Sequence, residues 1–142
     1  MEKTYNLNEL AMMTGFSTRT LRNYLVQGLL KGNKVDGAWE FSAEDLDKFF
    51  NEPFVKESLR IKRNSAVFDF LSQRDKKASK SCVILDIPCS TIEGNKISTF
   101  FCNQMSEAYN VEFSYDWDKG VARIILTGEE NQVLKIISEY NK

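Results

Sequence analysis

Histidine is absent from this chain. Its absence removes the commonest general base and the commonest zinc ligand together. Cysteine is scarce, and an odd count of three makes no disulfide framework. Cys82, Cys89 and Cys102 bring no further ligand cluster with them. They read as small apolar residues, Cys82 in a strand and Cys102 on a helix. No apolar run approaches the roughly 20 residues a membrane helix needs. No signal-peptide pattern opens the chain, so a cytoplasmic protein without membrane association is expected. Phosphate loops, nucleophile–base pairs and metal-ligand spacings are also missing, so neither an enzyme, a cofactor nor a metal is expected.

With 142 residues, the chain is long enough for one ordinary domain or two small ones. The net charge of −1 would by itself argue against a nucleic-acid partner. Its distribution is more informative. Residues 1–52 carry a net −2, residues 53–80 a net +5 and residues 81–142 a net −4. A local basic stripe can still bind DNA, because salt hides charges more than about 8–10 Å away.

The first segment reads as two short helices, a hairpin and a third helix. Asn6 and Glu9 form a capping box for a helix with Leu7, Leu10, Ala11 and Met13 on one face. Gly15 ends it, since a helix commonly closes on a residue at positive φ. Ser17 caps the second helix. Leu21, Tyr24 and Leu25 share that helix's inner face, while Thr18, Arg19, Arg22 and Asn23 fall outside. Arginine can read guanine or phosphate, asparagine can pair with adenine, and threonine can meet a phosphate or a thymine methyl. Gly28 closes the helix. Asp36-Gly37 is a two-residue hairpin signal. Trp39 and Phe41 alternate with Glu40 and are expected to face inward, while Lys31 and Lys34 project toward phosphates. Ser42 and Asp45 then cap a third helix whose apolar face is Leu46, Phe49 and Phe50.

GFSTRTLRNYLVQGLL resembles the start of MerR-type regulators, with a capped second helix, an R-T-L-R run and a G-L-L exit. GAWEFSAEDLDKFF is similar to the wing and third helix of excisionase-like members of that superfamily. The resemblance covers about the first third of the chain. It implies a winged helix-turn-helix over residues 1–52 that binds double-stranded DNA. Its contact set would be Ser17, Thr18, Arg19, Arg22 and Asn23 on the second helix, with Lys31 and Lys34 from the wing. Glu40 stands where the family usually carries arginine, which implies a weaker grip by the wing. An excisionase-like architectural factor, or a protein adaptor built on the same fold, are the alternatives.

Residues 53–80 are expected to form a basic linker or dimerisation helix. Pro53 suits its first position, and no glycine or proline interrupts it as far as about Ser79. Arg60, Lys62 and Arg63 could add phosphate contacts. In MerR-type proteins a helix here pairs with its copy, so a homodimer is expected.

Residues 81–142 read as β-α-β-β-α. The pieces are a strand over Cys82–Ile87 and a helix bearing Ile97, Phe100, Phe101, Met105 and Ala108. A strand with Val111, Phe113 and Tyr115 follows, then a turn over Asp116–Gly120. Next come a strand with Ala122, Ile124 and Leu126, and a helix with Glu129 and Glu130 in its first turn. Val133, Leu134, Ile137 and Tyr140 make the last helix's apolar face. Trp117 is expected near the hairpin, folded back onto the sheet. The fold class expected for the whole is α+β: a winged helix-turn-helix, a linker helix and a small C-terminal sandwich. That last unit would dimerise or sense a small-molecule effector of unidentified kind.

Overall fold

The computed structural model describes residues 4–74, 76–105 and 110–142. Helix α1 (Leu7–Thr14) begins at a reciprocal cap: Glu9 N–H donates to Asn6 Oδ1 at 2.7 Å, and Asn6 N–H to the Glu9 carboxylate at 3.0 Å. Gly15, at φ 79°, closes α1, and its N–H donates to the Ala11 carbonyl. Helix α2 (Thr18–Gln27) starts at Ser17, whose hydroxyl accepts the Thr20 N–H at 3.0 Å, and ends at Gly28. Strands β1 (Asn33–Val35) and β2 (Ala38–Glu40) form an antiparallel hairpin. Asp36 and Gly37 turn it, both at positive φ, as a tight hairpin turn requires. Helix α3 (Ala43–Asn51) carries the second reciprocal cap, between Ser42 and Asp45.

A further link closes this module. Tyr5 and Phe41 exchange two backbone hydrogen bonds, of 2.8 and 2.9 Å. The chain start is thereby tied to the end of the hairpin. Beneath it Leu10, Met13, Leu21, Leu30, Phe41 and Phe49 are fully buried. Phe16 meets Tyr24 edge-on at 5.5 Å and Phe49 at 6.4 Å, an arrangement that suits the ring quadrupoles.

Helix α4 (Pro53–Ser72) stops seven residues short of the expected end at Ser79. Lys76 turns back and donates to the Phe70 carbonyl at 2.8 Å, satisfying one of the orphan acceptors at the helix end. Its ammonium also lies 4.0 Å from the Phe70 ring centroid.

The remaining elements are β3 (Lys80–Pro88), α5 (Thr91–Met105), β4 (Val111–Asp118), β5 (Val121–Glu129) and α6 (Glu130–Tyr140). The sheet is antiparallel throughout, in the order β3-β5-β4. Phe113, Tyr115, Ala122, Ile124 and Leu126 are buried with Phe101, Val133 and Ile136 in one core.

Several boundaries differ from the sequence reading. Helix α5 begins at Thr91 rather than near Ile97. Ser90 and Glu93 cap it reciprocally, at 3.1 and 3.2 Å. The turn between β4 and β5 is only Lys119-Gly120, both at positive φ, so Asp116 and Trp117 belong to the strand. Trp117 is half-buried, with Nε1–H donating to the Cys89 carbonyl at 3.2 Å. Glu129 ends β5 and precedes α6 instead of lying in its first turn. Leu134, expected on the apolar face of α6, is exposed, and Ile136 takes that place. Ala108 lies outside the described residues. Cys82 is in β3 and half-buried, and Cys102 is buried on α5.

Helix α1 packs against β4, and the Tyr5 and Ser98 hydroxyl oxygens approach to 2.5 Å between the first module and α5. Helix α4 crosses the outer face of the sheet. It is tethered there by Arg63, which donates to Asp116 and to the Tyr115 carbonyl at 3.1 Å each, and by Lys56 to Asp118 at 3.3 Å.

Candidate nucleic-acid interface

Helix α2 is fixed on its inner side by Leu21 and Tyr24, both buried. That anchoring decides which side chains can reach a partner. Arg19, Arg22 and Asn23 are exposed, and neither arginine has an ion-pair partner among the described residues. Thr18 is half-buried on the first turn. Ser17 is exposed, but its hydroxyl is committed to the helix start: it accepts from the Thr20 N–H and donates to Thr20 Oγ1 at 2.9 Å. Ser17 therefore orients α2 first, and meets a partner only with its remaining lone pair.

One outward residue is absent from the sequence-derived set. Val26 is 88% exposed. At 100° per residue it falls between Arg22 on one side and Arg19 and Asn23 on the other, in the middle of the outward face. The signal was available in the spacing of residues 19, 22, 23 and 26, but Val26 looks like a core residue by type. An exposed valine among arginines can meet a thymine methyl.

In the hairpin, Lys31 and Lys34 are exposed. Lys34 Nζ lies 5.5 Å from the Trp39 ring centroid, across the register pair Lys34–Trp39. Phe41 is fully buried, whereas Trp39 is only half-buried, stacked parallel on Phe41 at 6.3 Å. The tryptophan thus forms a shelf for the lysine and leaves its ammonium pointed outward.

The basic middle segment does not extend this surface as its charge implied. Arg60 is spent on Glu57, a pairing that holds the Glu57 carboxyl below the usual range and raises the guanidinium. Arg63 is drawn inward to Asp116. Burial outweighs their attraction at both groups, pushing the Asp116 carboxyl up and the Arg63 guanidinium down. A buried pair of this kind positions α4 more than it stabilises the fold. Of the three expected phosphate contacts only Lys62 is exposed and without an ion pair among the described residues, 5.9 Å from the ring of Phe16 in the turn between α1 and α2.

Two short helices joined at a glycine turn, with the second presenting cations and an amide from an anchored position, define a helix-turn-helix module of the DNA-binding kind. Residues 5–49 match the family model described as MerR HTH family regulatory protein, and this segment is a MerR-type helix-turn-helix. No curated protein and no solved structure matches the chain. Among the described residues, no group of three or more His, Cys, Asp or Glu side chains could hold a metal ion, and no helix is long and apolar enough to cross a membrane.

Proposed function

We propose that the protein is a sequence-specific DNA-binding transcriptional regulator of MerR type that acts at a promoter as a homodimer. The observation that carries this reading is the outward face of α2. Arg19, Arg22, Asn23 and Val26 share it, on a helix capped at both ends and anchored from behind. Helix α2 lies in the major groove, and the β1–β2 hairpin serves as the wing, with Lys31 and Lys34 on the backbone. One helix of this length reads too few base pairs for useful specificity, which is the argument for two copies.

In this reading residues 1–52 are the DNA-binding domain, residues 53–80 the linker and residues 81–142 a small α+β sandwich. The last unit holds the two copies together or takes up a small-molecule effector. Its contact with α1 through β4 gives it a direct route to the reading head. No catalytic step is assigned to the chain.

The test is selection of random duplex DNA on the purified protein at two salt concentrations, followed by sequencing. An enriched inverted repeat is the expected result, and its half-site spacing reports the distance between the two α2 helices. No enrichment at either salt would refute unaided sequence-specific binding.

A further inference from the structure

We propose that two copies of this chain join edge to edge through β3, making one continuous six-stranded sheet. The inference rests on the homodimer reading above and names the surface that makes it. The sheet has two edges. One, β4, lies against α1. The other, β3, pairs with β5 along all nine of its residues on one side, and no strand among the described residues covers its other side. Such an edge presents a row of backbone donors and acceptors, which proteins usually blunt with charge, proline or a bulge. Here Lys80 and Pro88 mark only the ends. From Ser81 to Leu85 the strand carries no charge.

The side chains fit self-pairing. An antiparallel pair centred on Ile84 sets Val83 opposite the partner's Leu85 on the inner face and Ile84 opposite the partner's Ile84 on the outer face. On that outer face Lys80 is a diagonal neighbour of the partner's Asp86, about 7–8 Å away and within reach of a lysine. Asp86 already accepts two hydrogen bonds from Arg123, at 2.6 and 2.8 Å, so the contact would extend an existing ion pair across the joint. Apolar side chains stand uncovered beside the edge on both faces. Ile84 is 49% exposed and lines one cleft of about 930 Å³ with Phe68 and Leu71, which are 67% and 68% exposed. On the inner side Leu134 of α6 is 53% exposed, and α6 packs against β3.

Helix α4 offers a poorer seam. Phe54, Ile61 and Phe68 recur every seven residues on its outer side. The companion positions of that repeat are Glu57 and Asn64 before Leu71, and Phe54 already meets the Tyr24 ring at 6.2 Å. A coiled-coil seam needs apolar residues at both positions.

Three full-length variants test the proposal. Ile84→Arg places a charge at the two-fold axis. Ile84→Cys and Ile61→Cys, each with Cys82→Ser and Cys89→Ser, place a thiol at the centre of the strand joint or of the helix seam. Opposed residues of antiparallel strands have Cα atoms about 4.5–5.5 Å apart, which a disulfide spans. We expect the wild type to sediment as a dimer. Ile84→Arg should sediment as a monomer with unchanged far-ultraviolet dichroism, and Ile84→Cys should cross-link on mild oxidation while Ile61→Cys does not. A dimer that survives Ile84→Arg, or cross-linking at Ile61→Cys alone, would overturn the strand joint and leave the dimeric regulator standing. If Ile84→Arg loses its fold, the two cross-linking variants decide. A wild type that stays monomeric at every concentration, with and without its DNA, would overturn both readings.

Discussion

Arg19 and Arg22 carry the sharpest prediction, because their effect on sequence and on salt can be separated. Each occurs twice in the proposed dimer. A bidentate arginine–guanine contact is worth about 1–3 kcal/mol, so replacing that arginine by alanine in both subunits should cost about 2–6 kcal/mol. At 1.4 kcal/mol per decade this is roughly one and a half to four decades in Kd. The loss should appear on the selected site and largely vanish on scrambled DNA. Lys34→Ala should behave differently. Its ammonium stands over Trp39 and is assigned to a backbone phosphate in the proposed reading, so its loss should weaken binding to all sequences alike. The slope of log K against log salt should then shrink by about 0.9 per phosphate contact, or about 1.8 for the dimer. Fluorescence anisotropy on selected and scrambled duplexes at four salt concentrations measures both quantities. If Arg19→Ala combined with Arg22→Ala costs less than about 1 kcal/mol on the selected site, with the thermal transition unchanged, α2 is not the reading helix.

Other consequences follow from packing and caps. Phe49 is buried against Phe16, Tyr24 and Phe50, so Phe49→Ala should cost about 3–5 kcal/mol in urea unfolding; a loss below about 1 kcal/mol would contradict the aromatic core. At Gly94 an added Cβ would lie 2.8 Å from Tyr115 Oη and 3.0 Å from Trp117 Cδ1. Gly94→Ala should therefore lower Tm by several degrees, overriding the roughly 1 kcal/mol that alanine gains in a helix, and a raised Tm would refute the close contact. The backbone and hydroxyl of Ser90 hold the Glu93 carboxyl below its usual range. A carboxyl depressed in the folded state contributes stability above its unfolded pKa of about 4.3 and loses it as pH falls through the folded value. Glu93→Gln should accordingly flatten the fall of Tm between about pH 5 and pH 3, and an unchanged acid limb would show that the cap does not persist in solution.

The parts of this fold that the sequence displays are those set by neighbours in the chain. The caps at Asn6, Ser17 and Ser42, the glycines at 15 and 28 and the Asp36-Gly37 turn are all decided within about four residues, and the α2 face follows from them. Ser90 and Glu93 form the same kind of signal, but they lie in a polar stretch with no early apolar periodicity, so the first turn of α5 was hidden. The pairings that assemble the molecule are non-local. Tyr5 finds Phe41, and Arg63 finds Asp116 across 53 positions of chain. On sequence alone Arg63 is a candidate phosphate contact and Asp116 a turn residue. Only the crossing of α4 over the sheet brings them together, and their mutual neutralisation removes both from the surface.

That neutralisation changes how the charge distribution bears on DNA binding. The net +5 of residues 53–80 is not one basic stripe. Arg60 and Arg63 are paired within the chain, Lys56 reaches Asp118, and Lys76 seals the end of α4. Among the described residues, the exposed cations of the N-terminal module that make no ion pair reduce to Arg19, Arg22, Lys31 and Lys34, Lys48 being paired to Glu44, with Lys62 beside the turn. Five per subunit sets a ceiling of about 9 on the magnitude of the salt slope of a dimer, at about 0.9 per neutralised phosphate. Arginines that read bases do not count toward it in full, so the measured slope should fall clearly below that ceiling. A slope that reached it would mean that every one of these cations, Arg19 and Arg22 included, is engaged on the backbone and none reads sequence.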